Sequence, residues 1–236
     1  KRLHGEIGKA IEDLYKQNID EQYGVLTEHF IESENYEKAS EYSKLAGEKA
    51  QKAASFIEAI EYAKKRVFCL ERLPETEVTQ MRIIDARTRL AGYNISLTHH
   101  IEAKEAVAPV LDLALKLNYQ KRLPIIYIAM GMHSHWVEGD YSEGYRYLKE
   151  ALKISEITQD TTCLWFANLF LGETLSLNCE FEKGLGYLEK SLDLGVLENN
   201  PIEIEFAKSC ICAFNYILRG NLDLAYQISK ESLLMA

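Results

Sequence analysis

Apolar residues recur at steps of three and four along nearly the whole chain, which is the spacing of one face of an α-helix. Leu164, Ala167, Leu171 and Leu175 show the step clearly. Strand signals are almost absent, because there is no Asn-Gly or Asp-Gly hairpin and no sustained alternation of apolar and polar residues. The pattern therefore predicts an all-α protein.

Short turns divide this pattern into about twelve predicted helices. They occupy residues 2–15, 20–32, 36–53, 56–72, 78–98, 102–117, 122–138, 141–157, 160–178, 181–194, 201–219 and 222–235. Pro124 and Pro201 fall in first turns, where the missing N–H costs nothing. Pro74 closes the fourth helix, and Pro109 predicts a kink or a late start in the helix 102–117.

One sequence pattern recurs along the chain, in which an aromatic residue or Leu is followed by a small residue three positions later. Tyr36 and Ala39 form one example. The small residue lets two helices approach closely, and the aromatic ring fills the gap at the turn. Later small residues stand at intervals of 38, 40 and 41, at Ala106, Gly144, Gly184 and Ala225. A period of this length predicts an α-solenoid, in which a helix pair cannot bury its apolar face alone.

These recurring pairs of an aromatic residue or Leu and a small residue resemble the tetratricopeptide repeat. Leu171-Gly172 match the Leu-Gly pair of its first helix, whereas Gly131 sits one residue early. The resemblance implies a right-handed solenoid of antiparallel helix pairs, with a period longer than the usual 34 residues. The positions assigned to the repeat are Tyr36, Ala39, Ala59, Ala106, Tyr141, Gly144, Gly172, Phe181, Gly184, Gly220 and Ala225.

The first 75 residues also resemble the segment that follows the nucleotide-binding domain in bacterial STAND-type predicted ATPases. The matching strings are RLHGEIGKAIEDLY, HFIESENYEKASEYSKLAGEKA and EAIEYAKKRVFCLERLP. Many of those proteins carry a class III adenylate or guanylate cyclase domain. The resemblance implies an N-terminal helical segment, 1–75, and one continuous superhelix of repeats, 76–236. Because the chain starts at Lys1 and not at Met, we expect a fragment of a longer protein.

Charge and composition exclude several partners. The chain of 236 residues has a net charge of −9. This charge argues against general binding to nucleic acid and against binding to a membrane surface through basic side chains. No apolar run approaches the roughly 18 residues that span a bilayer. The five cysteines are odd in number and lie mostly within apolar helical patterns, which favours reduced thiols and a cytoplasmic location.

Motifs for catalysis, cofactors and metals are missing. Neither G-x-x-x-x-G-K-[ST] nor G-x-G-x-x-G occurs as a phosphate loop. His133 and His135 are two residues apart and diverge on a helix, unlike a zinc-binding pair at i and i+4. Nothing in the sequence brings Cys163, His135 and Glu173 together. We expect no catalytic, cofactor-binding or metal-binding residue and no enzyme activity in this chain.

Two groups of residues are candidates for binding. One group is the basic run Lys64-Lys65-Arg66, with Arg82, Arg87 and Arg89 on the next predicted helix. These residues form either an anion-binding patch or a set of long side chains whose aliphatic parts cover the apolar sides of helices. The first helices of the repeats should line a concave groove that binds a protein, a peptide or a small apolar ligand. The alternative is that the same residues pack between neighbouring helices. The predicted groove residues are His133, Trp136, Phe166, Leu169, Glu173, Cys210, Phe214 and Ile217.

The function that the sequence favours is a non-catalytic sensing or interaction arm that regulates a larger signalling ATPase or nucleotide cyclase. One alternative is the inducer-binding arm of a large LuxR-type transcriptional activator, which a basic helix-turn-helix domain after Ala236 would favour. The other alternative is a free-standing adaptor. An enzyme fragment would need activity from residues 1–236 alone.

Overall fold

The computed structural model describes residues 1–233, and every regular element within that range is helical. The α-helices are α1 (Arg2–Leu14), α2 (Tyr23–Glu32), α3 (Tyr36–Lys52), α4 (Phe56–Leu70), α5 (Glu77–Ser96), α6 (His100–Val107), α7 (Leu111–Lys116), α8 (Leu123–Trp136), α9 (Tyr141–Thr158), α10 (Thr161–Leu177), α11 (Phe181–Leu197), α12 (Pro201–Cys210) and α13 (Leu222–Leu233). The all-α array of tetratricopeptide-like helix pairs is confirmed.

Some predicted helices are interrupted. The expected break at Pro109 is present, because α6 ends at Val107 and the 3₁₀ turn Ala108–Val110 separates it from α7. Proline lacks the N–H that a continuous helix needs at this point. The predicted helix 201–219 is two elements, since α12 continues into a π-helix at Ile211–Ile217. Positions 234 and 235 of the last predicted helix lie outside the described residues.

Most of the turns between helices in the described chain contain one residue with positive φ. Residues with positive φ are Glu34, Ala54, Thr98, Asn118, Gly139, Gln159, Cys179, Asn199 and Gly220. From Thr98 onward they recur every 20 or 21 residues, so two helices with their turns account for the period near 40. At one such turn the Glu180 N–H donates to the Leu175 carbonyl at 2.9 Å, the closing bond of a Schellman motif.

The chain divides into two units, of which the first ends at Arg122 and the second begins at Leu123. In the first unit, Ala39 is fully buried in a cluster with Leu26, Phe30 and Cys69. Tyr36 packs against that cluster, and its ring meets the edge of Phe68 at a centroid distance of 6.2 Å. An aromatic residue and a small residue therefore share one packing joint here.

The first unit continues across residue 75. Val67 and Leu70 of α4 form an apolar cluster with Ala86 of α5, and α4 and α5 pack directly against each other. The N-terminal segment 1–75 lies wholly within this unit. The division of the chain into 1–75 and 76–236 stays a prediction of the sequence.

The second unit contains three helix pairs: α8 with α9, α10 with α11, and α12 with its π-helix and α13. The pair α10 and α11 approaches most closely at two glycines. A Cβ atom on Gly172 would lie 2.5 Å from Leu188 Cγ and 2.9 Å from the Gly184 carbonyl oxygen. A Cβ atom on Gly184 would lie 2.9 Å from the Gly172 carbonyl oxygen. The two helices can keep this distance only because neither position has a side chain.

The pair α8 and α9 repeats this contact with a longer turn. A Cβ atom on Gly131 would lie 3.1 Å from the Gly144 carbonyl oxygen, so the two glycines face each other. The turn between Trp136 and Tyr141 is one residue longer than the turn between α10 and α11. That extra residue explains why Gly131 falls one position early in the repeat alignment.

We predict that Gly184→Ala destabilises the chain by about 1–3 kcal/mol, because the added methyl group must push α10 and α11 apart. Urea unfolding followed by circular dichroism measures the change in free energy. Gly186 is the matched control, since it lies on the same helix and a Cβ atom there would meet nothing within 4 Å. Gly186→Ala should be neutral or should stabilise the chain by up to about 1 kcal/mol, because alanine is the better helix former. Equal effects of the two substitutions would contradict the close approach of α10 and α11.

Candidate ligand-binding face

The first helices of the second unit pack side by side. Helix α10 contacts α8 on one side and α12 with its π-helix on the other. The second helices α9 and α11 meet through long side chains, as where Lys149 Nζ donates to the Tyr187 hydroxyl at 3.0 Å. We call the side formed by α8, α10, α12 and the π-helix the first-helix face. All eight predicted groove residues lie on these elements.

An aromatic pair, exposed at Trp136 and half-buried at Phe214, joins α8 to the π-helix on this face. Trp136, the last residue of α8, is 43% exposed, and its ring lies 6.2 Å from the ring of Phe214 in the π-helix. The two rings meet at an interplanar angle of 63°. Ile217 follows Phe214 on the π-helix and is 50% exposed. Three of the predicted residues therefore present apolar surface in one neighbourhood.

Phe166 belongs to a different aromatic cluster. Its ring stacks on Phe170 at 5.6 Å and meets the edge of Trp165 at 5.0 Å. Trp165 in turn lies 6.1 Å from Phe206 of α12. This cluster lies toward the N-terminal ends of α10 and α12, whereas Trp136 and Phe214 lie toward the C-terminal ends of their helices.

Four of the predicted residues, Leu169, His133, Glu173 and Cys210, are buried inside the unit. Leu169 has no exposed surface, so it supports α10 and presents nothing to a ligand. His133 is buried, and its Nδ1 atom lies 3.4 Å from Glu138 Oε1. For these positions the structure matches the alternative of packing between helices.

Glu173 and Cys210 form a buried polar pair between α10 and α12. The Cys210 thiol donates a hydrogen bond to Glu173 Oε1 at a distance of 3.1 Å. Burial raises the pKa of Glu173 to about 7, and the hydrogen bond from Cys210 offsets only part of this shift. Burial also raises the pKa of Cys210, and the neighbouring carboxyl adds to the shift. Glu173 is therefore a carboxyl whose protonation changes near neutral pH inside the fold.

The π-helix and its buried Asn215 were not expected from the sequence. Asn215 Nδ2 donates to the Phe181 carbonyl at 2.7 Å, which ties the π-helix to the start of α11. The wider helical turn changes the direction of the side chains that follow Cys210. A polar residue in an apolar helical run is the available signal at Asn215, but no sequence pattern distinguishes a π-helix from an α-helix.

Within the described part of the chain, no three His, Cys, Asp or Glu side chains converge in a way that could hold a metal ion. The hydrogen-bond partner found for the Glu173 carboxyl is the Cys210 thiol, not Cys163 or His135. None of the helices between residues 1 and 233 combines the length and the apolar character that crossing a membrane requires.

Two solved structures share this fold. BtubC (BKLC) from P. vanneervenii has 13% sequence identity and a TM-score of 0.59, and the match covers 99% of this chain and 88% of that one. A Signal Transduction ATPase with Numerous Domains (STAND) from Pyrococcus horikoshii, which has a tetratricopeptide repeat sensor, has 17% identity and a TM-score of 0.54. That match covers 99% of this chain and 41% of the STAND protein, so the chain spans about two fifths of its length.

At these identities the likeness shows the fold alone. No family model matches the chain, and no curated protein matches it either.

We predict that the free energy of unfolding falls as the pH rises from about 4.5 to about 7, because the unfolded chain releases the Glu173 proton first. The raised pKa of Glu173 corresponds to a loss of folding stability of about 3 kcal/mol at most, which is absent below this pH range and complete above it. Glu173→Gln should abolish this loss, because the amide stays neutral at every pH and still accepts from Cys210.

Urea unfolding at about pH 4 and about pH 8 tests this effect, since the two values bracket the titration. The difference between wild type and Glu173→Gln should change between them. The control is Glu189→Gln, which alters an exposed glutamate on α11 and should leave the pH dependence as in wild type. If Glu173→Gln keeps the full wild-type dependence, the carboxyl is not buried as described.

Proposed function

We propose that the chain is a non-catalytic helical-repeat arm that binds a protein or peptide segment, or a small apolar ligand, on the first-helix face. In this proposal the arm regulates a larger signalling ATPase or nucleotide cyclase of the same polypeptide. The observation that carries the proposal is the contact between the exposed ring of Trp136 and the half-buried ring of Phe214. The fold shared with a tetratricopeptide repeat sensor of a STAND protein supports it.

The chemistry of the face favours an apolar anchor. Trp is among the residues that most often dominate binding energy, because its large rigid surface loses little conformational entropy on contact. The ring of Phe214 forms one wall beside Trp136, and the exposed side chain of Ile217 extends the apolar surface. An aromatic or aliphatic side chain placed against this pair would exclude water from all three residues. A peptide with one such anchor, or a ligand of similar size, fits this surface.

Regulation follows if the ligand prefers one arrangement of the helices. Trp136 ends α8 and Phe214 lies in the π-helix, so a ligand that contacts both rings senses the distance between these two elements. A ligand can shift an equilibrium only by its difference in affinity for the two states. The proposed arm would therefore transmit binding as a change in the spacing of its first helices.

The remaining parts of the proposal concern the whole protein. They are a cytoplasmic location, an upstream nucleotide-binding domain, partners other than nucleic acid or membrane, and no bound cofactor in this segment. A phosphate loop of the form G-x-x-x-x-G-K-[ST], encoded upstream in the natural reading frame, would support the signalling ATPase. If no such loop is encoded, the link to an ATPase is lost, while binding on the first-helix face stays testable on this chain.

A free-standing adaptor is the second candidate. The match to BtubC covers 88% of that protein, so this fold also occurs as nearly the whole of a chain. Under this candidate the first-helix face would bind a partner with no ATPase attached. A natural reading frame that begins close to Lys1 would favour the adaptor over the regulatory arm.

We predict that Trp136→Ala weakens the binding of peptides selected against this chain from a displayed library by about tenfold or more, as expected for a central anchor. Fluorescence anisotropy of the labelled peptides measures the dissociation constants. Circular dichroism should show unchanged helicity, because the Trp136 side chain is partly exposed at a helix end.

Tyr226→Ala is the matched control, since it removes a more exposed aromatic side chain from α13, away from the first-helix face. It should change the dissociation constant by no more than about twofold. Equal losses for the two variants, or wild-type affinity of Trp136→Ala, would contradict the proposed site.

A further inference from the structure

A narrow basic cleft lies in the first unit between α3, α4 and α5. Arg66 lies on its α4 side, Lys44 and Glu48 come from α3, and Arg89 comes from α5. The other lining residues are Ser43, Gly47, Ala63, Ala86 and Tyr93. Three cations face a single carboxylate here, although the chain as a whole has a net charge of −9. The local charge is therefore opposite in sign to that of the protein.

Three neighbouring arginines of the same unit have partners. Arg82 donates to Glu37 and Glu41, at 2.8 Å and 3.0 Å. Arg87 donates to Glu71 and to the Ala106 carbonyl. Arg122 donates to Asp85, which also accepts a hydrogen bond from Tyr119. Internal ion pairs are thus the rule for arginine in this unit.

Arg66 and Arg89 differ from these three, and of the two only Arg66 is half-buried. The guanidinium of Arg66 has no hydrogen-bond or ion-pair partner among the side chains that the structure describes, and burial lowers its pKa. Asp85, the acidic group with the largest effect on its charge, is already held by Arg122 and Tyr119. Glu41 forms an ion pair with Arg82. Glu48 also lines the cleft, but it forms no ion pair with Arg66 in the described structure. A cation that loses water without gaining a partner costs free energy.

We propose that this cleft binds a single oxyanion group, a carboxylate or a phosphate, on the guanidinium of Arg66. The planar guanidinium offers parallel N–H donors that match two oxygens of such a group. Lys44 and Arg89 flank the same cleft and add positive charge to it. The site lies in the first unit and does not depend on the function proposed for the first-helix face.

The dimensions of the cleft restrict the ligand. Between its walls there is room for about one water molecule, so oxygen atoms of the anionic group reach Arg66 while the rest of the ligand stays at the mouth of the cleft. Glu48 would repel a second negative charge at its side of the cleft. The expected ligand is thus a molecule that presents one small anionic group at its end.

Nuclear magnetic resonance of the arginine Nε–H groups in the ¹⁵N-labelled chain tests the site directly. Sodium phosphate and sodium acetate are the two probes, each titrated at constant ionic strength against sodium chloride. The Arg66 signal, assigned by its absence from Arg66→Lys, should shift and saturate. Arg82 and Arg87 are internal controls whose signals should stay nearly constant, because carboxylates already occupy their donors.

Thermal unfolding provides a second readout with a matched control. Addition of the effective probe should raise the melting temperature of wild type, because an anion that binds only the folded state stabilises it. Arg66→Gln should abolish the rise. Lys64→Gln removes the same charge from an exposed position of α4 that pairs with Glu61, and it should keep the rise.

The outcomes separate the ligand sources. Saturation by phosphate alone assigns a phosphate ligand, saturation by acetate alone assigns a carboxylate, and saturation by both supports the common oxyanion chemistry. The proposal is overturned if neither probe saturates the Arg66 signal, or if Lys64→Gln abolishes the thermal effect as completely as Arg66→Gln. In the second case the anion senses the overall charge of α4 and not the cleft.

Discussion

Close contact between the two helices of a pair is the constraint on which the rest of the second unit depends. Gly172 and Gly184 let the backbones of α10 and α11 meet, and Gly131 and Gly144 do the same for α8 and α9. Because each pair packs at a short distance, the first helices can also pack on one another. Their neighbouring faces place Trp136 of α8 against Phe214 of the π-helix.

Two charged groups that the packing buries wholly or partly are informative. Glu173 is buried with only a thiol as hydrogen-bond donor, so its ionisation opposes folding near neutral pH. Arg66 is half-buried beside two further cations, although Arg82 and Arg87 nearby are neutralised by carboxylates. Both groups have an electrostatic cost that packing alone does not explain. One makes stability depend on pH, and the other makes an anion a favourable ligand.

Local sequence signals predicted most helix positions correctly. The break at Pro109 was predictable because proline lacks an N–H, and the turns at Asp140 and Asp160 were marked by residues that cap the next helix. The π-helix at Ile211–Ile217 was not predictable, because its apolar spacing is also that of an α-helix. The candidate site was predictable as a set of helices, but not as a set of exposed side chains. Leu169 shows the limit, since it shares a helix face with Phe166 and is nevertheless fully buried.

The sequence by itself determined the all-α class, the repeat of helix pairs and the small residues at their joints, because these follow from spacing within a single stretch of chain. Tertiary structure alone decided that Trp136 meets Phe214, that Cys210 donates to Glu173, and that Arg66 has no carboxylate partner within the described residues. Such contacts join residues on different helices, and they depend on turn length and on how closely the helices approach. A one-residue change in a turn, as between α8 and α9, changes which position meets the next helix without altering the helical pattern that predicts the fold.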